Sequence, residues 1–380
     1  MKVEANSKEL KKKQKAKMKE IKKFNSKMYK KFNKEKKIKK VPESHYLTTM
    51  SDENNILEFD NLKTHFFTDT GTVKAVDGVS FDIPKGATVG VVGESGCGKS
   101  VTSLSTMRLL QGPQGQIVDG QIRFNCRSRG KAVDITKLPL PEMQKIRGND
   151  ISMIVQEPMS SLNPVFTIGD QLAEPIMLHN PKISKEDVDS KVIELLKLVG
   201  IANPEGIVKR YPHELSGGMK QRIVIAMALC CDPQLIVADE PTTALDVTIQ
   251  AQILDLLRDL KDKINASIML ITHDLGVVAS MCDYVVVMYA GRVIEKGTVH
   301  EIFKEPKHPY TIGLIKSLPS LNTGTEKLYS IPGNVPNPIN MPNHCYFKNR
   351  CDQCTDECFG NYPPIKEITK THKVSCHLYK

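Results

Sequence analysis

One loop constrains this chain more than any other feature. It begins at Gly93, follows an apolar run over residues 87–92, and fits the phosphate-loop pattern G-x-x-x-x-G-K-[ST]. Glycines in this pattern let backbone N–H groups turn toward phosphate oxygens, and the helix that follows adds the positive end of its dipole. We therefore predict that the loop and the next residue bind ATP: Gly93, Glu94, Ser95, Gly96, Cys97, Gly98, Lys99, Ser100 and Val101.

A second block supplies the carboxylates that phosphate chemistry needs. The apolar run over residues 235–238 ends in Asp239 and Glu240, 140 residues after Lys99. A buried strand of this kind is predicted to bring Asp239 to a magnesium ion that Ser100 also holds. Glu240 is then placed to take a proton from the attacking water, while Lys99 reaches the terminal phosphates.

A third block lies between these two. Ser216 is predicted to cap a helix that starts with two glycines, and their bare amides form a second possible anion site near Met219. A plain capped helix without a ligand is the alternative interpretation. The residues that would act on a nucleotide are Ser216, Gly217, Gly218 and Met219.

In this order the blocks resemble those of ATP-binding cassette (ABC) proteins. The resemblance extends to a Q-loop glutamine at Gln156, to a D-loop at residues 244–246 that contains Asp246, and to a switch histidine at His273. It implies that Gln156 contacts magnesium and the membrane partner, that His273 contacts the γ-phosphate, and that catalysis involves Glu240, His273 and Gln156. It also implies that the signature around Ser216 completes the ATP site of another subunit, so two such chains are expected to work together.

The predicted fold class is α/β, a phosphate-loop NTPase with a mixed twisted sheet, an antiparallel edge sheet and a helical subdomain. Strands are predicted at residues 56–66 and 75–83 of the edge sheet, and a helix over residues 247–265. We expect a basic, disordered tail over residues 1–50 and an ABC ATPase domain over 51–305, with the helical subdomain at about 157–232. A small cysteine-rich domain is expected over 306–380.

The positive charge of the chain is concentrated at its start. Residues 1–40 hold 18 lysines and 4 glutamates, so the rest of the chain carries about −4 of the total of +10. Such a segment is predicted to be a solvated extension. Attraction to anionic lipid is an alternative, and contact with nucleic acid is a weaker one that no aromatic-interleaved pattern supports.

A finer resemblance concerns the oligopeptide and dipeptide importers among ABC proteins. It depends on residues 156–164 and 211–219, and Met219 and Met227 resemble the D-type ATPase subunit more than its F-type partner. This implies an ATPase at the cytoplasmic face of the membrane that partners an F-type ATPase subunit, two permease subunits and an extracytoplasmic substrate-binding protein, with no nucleic acid. Nickel or a short sugar is an alternative substrate. A soluble ABC protein acting on ribosomes or DNA is the alternative function.

Five of the ten cysteines lie in the last 36 residues. Four of them have the spacing C-x5-C-x6-C-x17-C, which resembles the C-terminal extension of peptide-importer ATPases and implies a [4Fe-4S] cluster. Four thiolates can also hold Zn²⁺, and reduced thiols without a metal are a third alternative. The predicted ligands are Cys345, Cys351, Cys358 and Cys376, with Cys354 as an extra cysteine.

The residue that stacks on adenine is not evident from the sequence. ABC proteins resembling this chain carry an aromatic residue about thirty positions before the loop lysine, where this chain has residues 68–73. We consider two alternatives, that Phe67 reaches the base or that apolar contact near Val73 holds it.

Overall fold

The computed structural model describes residues 2–38, 40–156, 161–243, 246–318 and 329–379. The strands are β1 Asn55–Thr68, β2 Gly71–Pro84, β3 Thr88–Val92, β4 Gly115–Cys126, β5 Lys131–Asp134, β6 Ile151–Ile154, β7 Leu235–Asp239, β8 Ser267–Ile271, β9 Tyr284–Tyr289, β10 Arg292–Thr298, β11 Lys366–Glu367 and β12 Lys373–Val374. The helices are α1 Lys2–Lys36, α2 Lys99–Met107, α3 Leu140–Ile146, α4 Ile168–His179, α5 Lys185–Leu198, α6 Pro204–Ile207, α7 Gly217–Leu229, α8 Val247–Ile264, α9 Leu275–Met281, α10 Val299–Lys304 and α11 Pro309–Lys316.

A mixed sheet forms the centre of the molecule. Its eight strands within the described ranges run in the order β11-β12-β10-β9-β3-β8-β7-β6, and the five from β9 to β6 are parallel. Strands β3, β7 and β8 are buried along their whole length, as expected for apolar runs covered on both faces. Alternate residues enter different cores, since Ile268 and Leu270 pack on one face and Met269 and Ile271 on the other. The predicted α/β fold is confirmed.

The antiparallel sheet predicted from the early strands is also present, in the order β2-β1-β4-β5. Phe59 of β1 pairs with Phe81 of β2, and the two ring centroids lie 4.4 Å apart. The apolar face of this sheet shares a core with Val89 and Val91 of β3. The phosphate-loop strand is therefore covered by the antiparallel sheet on one face, and its other face meets Val278 of α9 and Cys282.

The helical part lies between β6 and β7 in the sequence. Thr167 caps α4 by accepting a hydrogen bond from the Asp170 amide, and Ser184 caps α5 in the same way from Asp187. Helices α4, α5 and α7 pack together around Leu172, Leu196 and other apolar residues of one core. Residues 157–160, on which part of the importer resemblance depends, lie outside the described residues.

The N-terminal segment differs from the disordered tail predicted from its charge. Lys2–Lys36 forms α1, and its second half lies against β1. Asn25 Nδ2 donates to Thr68 O at 3.0 Å, Tyr29 Oη donates to Phe67 O at 2.7 Å, and the Phe24 and Phe67 rings meet edge to face at 5.7 Å. The prediction was wrong because these few residues form an anchoring face that the surrounding lysines obscure.

The C-terminal extension shares the sheet and the core of the rest of the molecule. Strand β12 pairs with β10 through Glu295 and Val374, and the His372 Nε2 atom lies 2.7 Å from the buried Glu295 Oε1. Tyr310 and Phe347 belong to the same hydrophobic cluster as the central sheet. Within the described residues, no helix combines the length and the apolar content needed to cross a bilayer.

Candidate functional site

The carboxyl ends of parallel strands meet at one edge of the central sheet. The phosphate loop follows β3, Gln156 lies two residues after β6, and Asp239 ends β7. His273 follows β8, the strand that lies between β7 and β3. The sheet order thus brings to one edge of the sheet four sequence blocks that are separated by up to 180 residues.

The phosphate loop is packed against its surroundings so closely that two of its glycines have no room for a side chain. A Cβ atom on Gly93 would lie 2.2 Å from Met288 O, and one on Gly98 would lie 2.3 Å from Ala75 O. Both residues also have positive φ, +151° and +102°, which disfavours other residue types. Gly93, Cys97, Gly98 and Lys99 are buried, Glu94 and Val101 are half-buried, and Ser95, Gly96 and Ser100 are exposed.

Lys99 lies inside the loop. Its Nζ atom donates to Gly93 O at 2.7 Å and to Glu94 O at 3.1 Å, and the residue is only 6% exposed. Gly98 caps α2, which begins at Lys99, so the positive end of the helix dipole faces the same loop. The ammonium group and the helix terminus together make the loop a strongly electropositive pocket for phosphate.

Oxygen ligands for a magnesium ion meet beside the loop. Ser100 Oγ donates to Asp239 Oδ1 at 3.1 Å, and Ser103 Oγ donates to Asp239 Oδ2 at 3.1 Å. Burial raises the pKa of Asp239 above its usual value, against the opposing effect of these two hydroxyls. A hydroxyl and a carboxylate are the hard oxygen donors that Mg²⁺ prefers, so this pair fits the predicted ion.

Glu240 contacts both of the other predicted catalytic residues, Gln156 and His273. Its Oε2 atom accepts from Gln156 Nε2 and from Thr243 Oγ1, each at 2.9 Å, and His273 Nδ1 lies 3.2 Å from its Oε1 atom. Burial favours the neutral acid, but the hydrogen bonds from His273 and Thr243 outweigh it and lower the pKa of Glu240. The side chain is therefore a carboxylate at neutral pH, which is the form that can accept a proton.

The signature residues lie at the start of α7. Ser216 caps α7 by accepting from the Met219 amide at 3.4 Å, as predicted, and Ser216 and Gly217 are exposed. A Cβ atom on Gly217 would meet nothing within 4 Å. Asp246 caps α8 through the Ile249 amide at 2.9 Å. Residues 244 and 245 of the predicted D-loop lie outside the described residues.

Sequence reasoning missed several partners of the site. Ser103 lies one helical turn after Ser100, so its contact with Asp239 follows from helical spacing that was not used. Tyr310 Oη accepts from the Glu94 amide at 2.8 Å, and Arg350 forms an ion pair with the Glu94 carboxylate. These last two residues are more than 200 positions from Glu94, and no local pattern pointed to them.

The two alternatives for adenine are now unequal. Phe67 is only 2% exposed, and its ring packs against Phe24 of α1. Phe67 would have to leave this ring contact to reach the base. Val73 pairs with Ile339 in a short bridge, and Lys74 N donates to Pro338 O at 3.2 Å.

The metal prediction for the cysteines is not supported by the geometry. Among the residues that the structure describes, no three His, Cys, Asp or Glu side chains are grouped so as to hold a metal ion. The predicted ligands do lie in one small lobe, where Cys345 N donates to Cys358 O at 3.2 Å. Burial, and to a lesser degree Cys358, Cys376 and Cys351, raise the pKa of Cys345 to about 12. The donor chemistry of four thiols fits a sulfur-ligated group.

Sequence models of two protein families match the chain. The model described as "ABC transporter" matches residues 76–243, and the one described as "Oligopeptide/dipeptide transporter, C-terminal region" matches residues 294–358. The second match begins inside β10, so it covers the strand to which the C-terminal extension is paired.

Individual relatives agree with these matches. The chain is 50% identical to the oligopeptide transport ATP-binding protein AppD of Bacillus subtilis over 86% of this chain and 98% of that protein. It is also 50% identical to the dipeptide transport ATP-binding protein DppD of the same organism, over 85% of this chain and 94% of that protein. Among solved structures, the dimeric bacterial ABC transporter cassette MJ0796 is 25% identical and matches with a TM-score of 0.56, over 64% of this chain and 98% of that one.

The packing around the loop predicts unequal effects of glycine substitutions. Gly98→Ala is expected to lower affinity for ATP more than ten-fold and to lower the melting temperature, because the new methyl group would overlap Ala75 O. Gly96→Ala is the matched control, since its Cβ atom would meet nothing within 4 Å and only the positive φ of 78° is strained. Titration with a fluorescent ATP analogue measures the ATP affinity of both variants, and thermal unfolding measures their melting temperatures. Equal losses in the two variants would contradict the packing argument.

Proposed function

This chain belongs to the ATP-binding proteins of the oligopeptide and dipeptide ABC transporters, and we propose that it hydrolyses ATP to drive peptide uptake across the cytoplasmic membrane. The observation that carries the proposal is the cluster in which Glu240 contacts Gln156 and His273 beside the phosphate loop. The cluster combines a base, a sensor and a phosphate site in the arrangement that ATP hydrolysis needs.

The phosphate loop and its neighbours bind and orient the nucleotide. Backbone amides of the loop and the Lys99 ammonium hold the phosphates, and Lys99 exchanges its contacts with Gly93 O and Glu94 O for phosphate oxygens. Ser100 and Asp239 would hold Mg²⁺, with Gln156 as a third ligand implied by the family. When bound there, Mg²⁺ would supply charge neutralisation for the transferred phosphoryl group.

Glu240 takes the proton of the attacking water. The water oxygen forms a bond to the γ-phosphorus, the bond to the β-phosphate oxygen breaks, and ADP and phosphate leave. Both carboxylate oxygens of Glu240 are engaged, so the base must exchange at least one partner for water. Gln156 begins the segment that leads into the helical part, and movement of that part would release Oε2. His273 would then contact the γ-phosphate.

Replacing the base is expected to separate binding from turnover. Glu240→Gln keeps the shape of the side chain but cannot accept a proton, so ATPase turnover is expected to fall by on the order of 10² or more while ATP affinity is kept. Glu205→Gln is the control, because Glu205 lies on the surface in an exposed pair with Lys197. Steady-state ATPase assays and nucleotide titration measure the two effects. Near-normal turnover of Glu240→Gln would show that another group is the base.

We infer that the working unit pairs this chain with a homologous F-type ATPase subunit and two permease subunits, supplied by an extracytoplasmic substrate-binding protein. The exposure of Ser216 and Gly217 supports a shared site, because their amides are free to act on a nucleotide bound by another subunit. The related cassette MJ0796 has a structure described as dimeric. ATP would be clamped between two chains at the inner face of the membrane.

Co-purification tests this assembly against the alternative in which the lysine-rich α1 contacts nucleic acid. Tagged chain, extracted with mild detergent from its own cells, is expected to bring down two membrane subunits and a second ATPase. A truncated chain that begins after α1 is the control, and it is expected to keep these partners. If RNA co-purifies with the full chain in place of permeases and is lost when α1 is removed, the ribosome or DNA alternative is supported instead.

We further propose that Cys345, Cys351, Cys358 and Cys376 hold a [4Fe-4S] cluster rather than zinc. The support is the common lobe of the four cysteines and their thiolate chemistry, which is the donor set that such clusters use. When bound, such a cluster would act as a staple for a segment rich in proline. ATP hydrolysis as described above does not pass through it.

Anaerobic purification tests the cluster directly. The visible absorption of thiolate-bound iron is expected, with iron and sulfide in equal amounts and no stoichiometric zinc. Cys345→Ser is expected to abolish the absorption, whereas Cys354→Ser, the matched control in the same lobe, is expected to keep it. Stoichiometric zinc, or no metal at all, would overturn the cluster proposal.

A further inference from the structure

An ion pair between a buried guanidinium and a half-buried carboxylate connects the cysteine lobe to the phosphate loop. Arg350 Nη1 donates to Glu94 Oε2 at 2.6 Å, and Arg350 Nη2 donates to Glu94 Oε1 at 2.9 Å. The arrangement is bidentate, so it fixes the direction of the Glu94 side chain as well as its distance. The Arg350 side chain is only 4% exposed. This pair therefore differs from the flexible surface ion pairs that contribute little to a structure.

Arg350 itself is held rigidly. Its Nε atom donates to Pro332 O at 2.8 Å, and Nη1 lies 3.3 Å from Tyr289 Oη. The Arg350 Cζ atom lies 5.8 Å from the ring centroid of Tyr289 and 5.9 Å from that of Phe347, so both rings pack around the guanidinium. A guanidinium with all its partners in place is a fixed support rather than a mobile charge.

Glu94 is a residue of the phosphate loop, and it is restrained from two directions. On the outer side its carboxylate binds Arg350, and its amide donates to Tyr310 Oη at 2.8 Å. On the inner side its carbonyl accepts from Lys99 Nζ at 3.1 Å. Displacement of Glu94 would therefore also displace the carbonyl that orients Lys99.

The position of Arg350 in the sequence links this restraint to the cysteines. Arg350 directly precedes Cys351 and follows Cys345 by five residues, and its amide donates to Phe347 O at 2.9 Å. Cys345 in turn donates its amide to Cys358 O. The turn that presents the guanidinium to the loop is thus built from the cysteine lobe itself.

We propose that Arg350 is a positioning residue of the ATP site, through which the C-terminal cysteine lobe holds the phosphate loop in its nucleotide-binding form. The inference rests on the proposed function. It assigns the C-terminal extension a role within the ATPase itself. Disorder of the cysteine lobe would release Arg350 from Glu94 and so lower the affinity of the phosphate loop for ATP.

The test measures ATP affinity and turnover separately in the full chain, well below its melting temperature. Arg350→Ala is expected to weaken binding of a fluorescent ATP analogue about ten-fold, with turnover at saturating ATP within two-fold of the parent. Arg350→Lys, which keeps the charge but not the bidentate contact, is expected to recover only part of the affinity. If the effect passes through Glu94, the Arg350→Ala/Glu94→Ala double variant loses no more affinity than the weaker-binding single variant.

Arg123→Ala is the control for general destabilisation. It breaks the ion pairs of Arg123 with Glu58 and Asp60 in the antiparallel sheet, without touching the loop. It is expected to lower the melting temperature and to leave ATP affinity unchanged. Equal affinity of Arg350→Ala and the parent, or additive losses in the double variant, would overturn the inference. A parent chain that binds no ATP would instead overturn the proposed function.

Discussion

The site depends on the close approach of the phosphate loop to the backbone around it. Gly93 is pressed against Met288 O at the end of β9, and Gly98 against Ala75 O in β2. Because one contact comes from each sheet, the loop is correctly shaped only when the two sheets have packed together. The shared core of Val89, Val91 and Phe81 fixes that packing. The phosphate loop can therefore bind nucleotide only after both sheets have folded and packed together.

The sequence predicted the parts of the site that follow buried strands. Runs such as residues 235–238 are apolar because both faces of a central parallel strand are covered, and a polar residue directly after such a run must lie at the sheet edge. That reasoning applied to Asp239 and Glu240, whereas His273 came from the family resemblance, and in the structure His273 Nδ1 lies 3.2 Å from Glu240 Oε1. The structure describes the contacts among these residues, and the chemical roles assigned to them are proposals.

Other features were hidden by composition or by distance along the chain. Phe24, Met28 and Phe32 recur at helical spacing and would have indicated an anchored face in α1, but a lysine-rich surrounding made the segment look solvated. Phe32 packs so tightly on Gly112 that an added Cβ atom there would lie 2.2 Å from its ring. Arg350 offers no comparable signal. No sequence pattern around Arg350 predicts contact with a carboxylate 256 residues away. The pair becomes visible only in the folded structure.

The burial of Arg350 beside the half-buried Glu94 needs a reason, because removing a charge from water costs free energy that its attraction to the partner largely only offsets. An apolar pair of the same size would hold the C-terminal extension on the core at least as well, as Phe347 and Tyr310 already do. What an apolar pair cannot do is fix the orientation of one loop residue. A bidentate guanidinium does so, and a loop that is already shaped for phosphate loses less conformational entropy when ATP binds. The Arg350 and Glu94 pair therefore contributes mainly by ordering the phosphate loop for ATP, rather than by stabilising the fold.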